Sequence, residues 1–278
     1  MKYMWMFAII LSSLGSAAHA LDAGGPTLVA PLQRAFIEPS MLQGAIDLEK
    51  EISAQATLEA PDGESPLVVL KGKGNLIVTA PHATEPFREG RYRFSDGAGT
   101  AALAFMLHKL TDATVIYTRY RTPSDPNYYD DNTFKKTLAE LIETQKPTLL
   151  LDIHGSHDFR PYDIDFGTMN GKSLLNCRVS MTKLVASLRQ EGIANFSDNF
   201  FAAEKNLTIA RFASAKGVPT IQLEISSTWL RPSESGLMAH RFSQLLQGLA
   251  RYAKSVSSDP VRACEVPPSG LAEPVLPG

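Results

Sequence analysis

Three short apolar runs in this chain each stop on a residue able to bind a metal or carry a proton. They are LIVTA-PHATE, with His82 and Glu85, LLLDI-HGSH, with His154, and PTIQL-EIS, with Glu224. Runs of four to six apolar residues bounded by turn residues read as buried strands, and those without alternation suit the interior of a parallel sheet. Segments of helical periodicity lie between them: Ala98–Leu110, 131–145 with Phe134, Leu138, Leu141 and Ile142, 173–190 with Met181, Leu184, Val185 and Leu188, 207–216, and 234–254 with Met238, Phe242, Leu245, Leu249 and Tyr252. Strands alternating with helices predict βαβ crossovers. Open sheets of this kind hold their ligands at the carboxyl ends of the strands, so the three junctions are expected to meet in one cleft.

Further strands are expected at 113–118, 148–153, 163–168 and 219–225, and Pro66–Leu70 and Asn75–Thr79 flank Lys71-Gly-Lys-Gly74 in the manner of a hairpin. Ser95 and Asp96 read as helix caps before Ala98. The predicted fold class is α/β, a three-layer sandwich around a mixed, mostly parallel sheet.

Of the 278 residues, the first twenty read as a secretory signal peptide, with Lys2, an apolar core from Met4 to Leu14, and Ala18-His19-Ala20 as a small-x-small cleavage site. Residues 21–256 are expected to form one α/β domain, of which 21–50 read as an extended lead-in, and the proline-rich 257–278 a flexible tail. The expected location is therefore secreted or periplasmic, with no stable membrane insertion after cleavage. In such a compartment Cys177 and Cys264 have the option of pairing. Apolar residues make up 44% and charged residues 20%, with a net charge of −2. That balance supports a sizeable core and gives no basis for nucleic-acid binding.

His82-Ala-Thr-Glu85 is an H-x-x-E motif held non-helical by Pro81 and Pro86. His154 ends a strand too apolar to leave an imidazole without a partner. Asp152, two residues earlier, points to the same face, where it would orient His154 or touch the metal itself. Two histidines and one carboxylate are a catalytic rather than structural zinc set, leaving a position for water. Glu224 is the expected proton carrier. The loop Thr118–Asp131 supplies Arg119, Arg121 and Tyr128 as substrate contacts, with Arg119 the first choice for a carboxylate. Arg160, Arg211 and His157 are further candidates. For each arginine taken alone, a surface ion pair is the competing assignment.

Taken in order, H-x-x-E, a strand-terminal histidine and a strand-terminal glutamate resemble the zinc carboxypeptidase superfamily. LLLDIHGSH is similar to its aspartoacylase and succinylglutamate desuccinylase branch. VTAPHAT, YTRYRTPSDPNYYDD and VPTIQLEIS together are more similar to the N-formylglutamate amidohydrolases. The resemblance covers about residues 66–253. It implies a phosphorylase/hydrolase-like sandwich, one zinc ion on His82, Glu85 and His154, Glu224 as base, and Arg119 near the substrate carboxylate. The expected function is an exported zinc amidohydrolase that cleaves an N-acyl amino acid or small peptide by metal-activated water. Two alternatives stay open: a zinc-dependent peptidoglycan amidase or carboxypeptidase, and a non-catalytic metal- or ligand-binding module.

Overall fold

The computed structural model describes residues 36–258 and Cys264. The expected signal peptide and nearly all of the expected tail lie outside the described residues. Among the described residues no helix is long and apolar enough to cross a membrane.

A seven-stranded sheet forms the middle layer. Its strands are β1 (Leu67–Leu70), β2 (Leu76–Ala80), β5 (Thr114–Thr118), β6 (Leu149–Ser156), β7 (Ile164–Gly167), β8 (Phe196–Asp198) and β9 (Thr220–Ser226). They lie in the order β1-β5-β2-β6-β9-β7-β8. The central strands β5, β2, β6 and β9 run parallel, while β1 joins β5 and β7 joins β9 antiparallel. A two-stranded ribbon, β3 (Phe87–Arg88) with β4 (Arg91–Tyr92), follows β2. The helices are α1 (Pro39–Gln55), α2 (Gly99–Thr111), α3 (Thr133–Gln145), α4 (Arg178–Gln190), α5 (Ile209–Ala215) and α6 (Gly236–Ser258).

The two faces of the sheet differ in what they bury. Successive strand side chains point to opposite faces, and the odd and even positions segregate accordingly. Val78, Val115, Leu151, Leu223 and Phe166 join the large core that also holds residues of α1, α2, α4 and α6. Ile77, Ile116 and Leu150 join a smaller core with Phe134, Leu138 and Leu141 of α3 and Ile209 and Ala213 of α5. The strand positions that would extend the smaller core are polar: Thr79, Asp152, His154, Gln222 and Asp165 are all buried. The α3/α5 face is thus apolar at one end and polar at the other, and the polar end carries the site.

Three sequence expectations change. The predicted hairpin does not form, because β5 lies between β1 and β2 and pairs with both. The lead-in is helical from Pro39, with proline in the first turn, where its missing N–H costs no hydrogen bond. The helix expected at 173–190 is split. Leu175 has φ 52°, a left-handed backbone that no α-helix can contain, so a short turn at Lys172–Leu174 precedes α4. Cys177 and Cys264 are joined by a disulfide across 87 positions, fixing a point beyond α6 to the start of α4.

Candidate functional site

Register places the polar side chains in two rows. Thr79, Asp152, Gln222 and Gly167 lie side by side across β2, β6, β9 and β7, and His154, Glu224 and Asp165 form the next row toward the strand ends. Thr79 Oγ1 donates to Asp152 Oδ1 at 2.6 Å, and Asp152 Oδ2 lies 3.1 Å from Nε2 of His154. Gln222 Nε2 donates to Glu224 Oε1 at 2.9 Å.

His82 enters from the loop after β2, and its ring meets that of His154 edge-on with centroids 4.9 Å apart. Asp96 joins them from the segment before α2. Asp96 Oδ2 is 2.7 Å from His154 Nδ1 and 3.4 Å from His82 Nδ1. The opposite nitrogen of each ring faces another carboxylate, His82 Nε2 on Asp125 at 2.7 Å and His154 Nε2 on Asp152. One ligand atom each from His82, Asp96 and His154 lies within 4.8 Å of the other two. Two imidazoles and a carboxylate, each imidazole braced through its far nitrogen by an acid, match the donor set and outer hydrogen bonds of a zinc site. The residues present fit such an ion.

The electrostatics follow from burial. Desolvation works against protonating His82, but Asp96 and Asp125 outweigh it and push its pKa up to about 9. His154 is raised well above its ordinary value: burial opposes this, and Asp152 and Asp96 prevail. The two imidazoles hold Asp96 far below the usual carboxylate range despite its burial. Glu224 moves the other way. Burial, with Asp96 and Asp165 nearby, pushes it up to about 8 against the pull of the histidines.

These groups open on a cleft of about 670 Å³ whose walls include Arg88, Arg93, Asn127, Phe200, Phe201 and Lys205. The structure therefore gathers His82, His154 and Glu224. Glu85 is not with them: its backbone ties the loop to Ala56 and Thr122, and it takes no part in the donor cluster. Asp96 stands where the third donor was expected. Arg119 also lies elsewhere, bonded to Glu51 (2.5 Å) and Gln55 (2.9 Å) of α1. Arg121 pairs with Glu59 and stacks on Tyr92. Tyr128 donates to Glu89 and supports Arg88 through its ring. Arg160 sits among Phe159, Phe200 and Phe201, one layer behind the cleft wall. His157 stacks on Phe159 at the surface, and the Arg211 side chain is exposed.

The residues that sequence reasoning missed are Asp96, Asp125, Arg88 and Arg93. Asp96 read as a helix cap, but Ala98 occupies the cap position, and Asp96 instead donates its backbone N–H to His82 O at 2.8 Å. Gly155 makes room for it, since a Cβ there would lie 2.1 Å from the Asp96 carbonyl oxygen. Arg88 pairs with Asp125 at 3.5 Å and leaves a buried Nε without a hydrogen-bond partner beside the cleft.

No family model and no curated protein matches the chain in sequence. Solved structures are similar to it. One is an N-formylglutamate amidohydrolase from Ralstonia eutropha JMP134, with 16% identity and TM-score 0.49 over 69% of this chain and 99% of that one. A second is a bacteriophage poly-gamma-glutamate hydrolase, with 18% identity and TM-score 0.46 over 72% and 91%. A third is a metallo-carboxypeptidase from Pseudomonas aeruginosa, with 12% identity and TM-score 0.43 over 76% and 67%.

Proposed function

We propose that the protein is a zinc-dependent amide hydrolase acting on N-acyl amino acids or small peptides that bear a carboxylate. The observation that carries this reading is the convergence of the donor atoms of His82, Asp96 and His154 within 4.8 Å, beside a half-buried glutamate, Glu224. Zinc held by those three residues would polarise a carbonyl, make water more acidic, and draw Glu224 toward its ionised form.

The chain's own residues divide the remaining work. Glu224, raised to about 8 by burial, is close enough to neutrality to accept a proton and return it. In ionised form it takes a proton from water as the oxygen adds to the amide carbon. It then delivers that proton to the nitrogen as the C–N bond breaks. Gln222 fixes the carboxylate by donating to Oε1. Asp125 and Asp152 hold the two imidazole rings in place through Nε2. Arg88 and Arg93, in the cleft wall on the β2 side, are suited to the substrate's carboxylate.

The leader-like first twenty residues and the Cys177–Cys264 disulfide support a location outside the cytoplasm. The test is release of free amine from a panel of N-formyl, N-acyl and peptide substrates, with and without chelator. Chelator-sensitive release supports the reading, and no release from any member refutes it. Soluble fragments from purified sacculi in the same assay would assign the site to cell-wall amides instead.

A further inference from the structure

The two sides of the cleft carry different groups. Arg88 and Arg93 follow β2 and Asn127 follows β5, so two arginines and an amide lie on the β5–β2 side, while Glu204 and Lys205 share the β8 side with the aromatics. Phe200 and Phe201 follow β8, on the far side of β9 and β7, and line the same cleft. Both rings remain open to solvent, at 51% and 37% exposure. Two adjacent aromatic rings in the lining of a polar cleft offer an apolar surface within reach of a ligand bound there.

This wall is built rather than loose. The backbone N–H groups of Phe200 and Phe201 donate to the two oxygens of Asp165, at 3.0 and 2.8 Å, and Asp165 is fully buried next to Glu224 in register. Asn199 N–H donates to Phe166 O, and Met169 N–H to Ala202 O, so the segment runs zipped along β7. Gly167 permits that approach, because a Cβ there would stand 2.5 Å from Phe201 O. Asn199 and Ala203 bracket the segment in left-handed conformations, at φ 59° and 57°, which alanine adopts only when its surroundings require it. The Phe200 ring meets Tyr162 edge-on at 5.5 Å, and the Arg160 guanidinium lies 5.4 and 5.0 Å from the Phe200 and Phe201 centroids. Tyr162, in turn, shares a hydrogen bond with Ser156 at the end of β6.

We infer that Phe200 and Phe201 form an acyl-group subsite, so that the preferred substrate is an N-acyl amino acid whose acyl half is bulky and apolar or aromatic. This rests on the amidase reading above, in which the amine half carries the carboxylate. With that carboxylate on the Arg88 side and the amide over His154 and Glu224, the acyl half extends toward β7 and β8. A formyl group ends at its carbonyl carbon and has nothing to place against two rings. An aromatic acyl group meets them in the offset or edge-on contacts such rings prefer.

The test is calorimetric binding to zinc-supplied Glu224→Gln protein, which separates recognition from turnover. N-phenylacetyl-L-glutamate is expected to bind on the order of tenfold or more tighter than N-formyl-L-glutamate, as burial of one aromatic ring implies. Adding Phe200→Ala and Phe201→Ala should collapse that ratio toward one, and Phe200→Leu with Phe201→Leu should retain most of it. Equal affinity for the two compounds, or no binding of the phenylacetyl compound, overturns the inference without recourse to any variant. Hydrolysis by the unsubstituted protein is scored separately. Tighter phenylacetyl binding with no cleavage of either compound keeps the subsite and removes the amidase reading. Cleavage of the formyl compound with equal affinities keeps the amidase reading and removes the subsite.

Discussion

His154 and Glu224 are register partners on adjacent parallel strands, β6 and β9. Their side chains rise from the same face of the sheet, one turned to Asp96 and Asp152 and the other held by Gln222. The distance between a donor of the cluster and the proton carrier is therefore set by the strand spacing of the sheet, about 4.8 Å. No loop has to move to create it.

Glu224→Gln keeps the shape and the Gln222 contact but cannot carry a proton. Amide hydrolysis should fall roughly 10²–10⁴-fold while zinc content stays stoichiometric. Steady-state kinetics paired with metal analysis checks both halves, and unchanged turnover would remove Glu224 from the mechanism.

Asp96→Ala removes a carboxylate that touches both histidines. Its zinc affinity should drop by more than the roughly 10–100-fold seen when only an outer hydrogen-bond partner is lost. Glu85→Ala should leave zinc binding as it was, since Glu85 stands outside the donor cluster. Competition titration against a chelating dye distinguishes the two, and the reverse ranking would restore H-x-x-E as the ligand pair.

Metal-free protein should lose thermal stability as pH rises from about 6.5 to about 9. His82 has a folded pKa of about 9 against an ordinary 6.5, so its contribution is fully present below 6.5 and is lost as pH climbs through 9. Glu224, raised to about 8, favours the protonated folded state and acts in the same direction. Zinc needs neutral imidazoles, so its affinity should increase over the same window with release of protons. Melting curves and proton release in paired buffers measure this. A metal-free protein whose stability is flat across that window would contradict it.

Arg88→Ala should raise KM for a carboxylate-bearing substrate about tenfold or more, as loss of a charged hydrogen bond implies. Arg119→Ala should leave KM unchanged and cost within about 1 kcal/mol of stability, because its pair with Glu51 is a surface one. A larger KM effect at Arg119 would return the loop arginine to the substrate.

Cys177→Ser should destabilise the fold on the order of 4 kcal/mol in the chain-entropy account of a long closed loop. The disulfide spans 87 positions and ties the segment after α6 to α4. Denaturant titration of the serine variant against the oxidised protein gives the difference. A change below about 1 kcal/mol would show that the crosslink contributes little.

Local pattern revealed the sheet's strands other than β8 and the described helices other than α1, because continuous apolar runs and period-3.6 apolar spacing are local properties of the chain. It singled out His82, His154 and Glu224, which line one cleft, for the same reason: each is a polar residue interrupting or following an apolar strand. It failed where a role depends on a partner far along the chain. Arg119 looked available because the side chains that take it, Glu51 and Gln55, lie far back along the chain on α1, a helix that local pattern did not reveal. Asp96 looked like a cap because nothing in Ser95-Asp96-Gly97 shows that β2 and β6 bring two histidines to it. The hairpin failed for the same reason, as insertion of β5 is invisible from Lys71–Gly74 alone.

Gly155, between His154 and Ser156, contributes no side chain, and the Asp96 carbonyl fills the volume that a methyl group would take. The donor set is thus gated by steric exclusion as well as by charge. A substitution there would leave every ionisable group of the site in the sequence while evicting the strand-to-loop contact that seats the third of them. Mutational tolerance at this site should therefore be lowest at a position with no functional group at all.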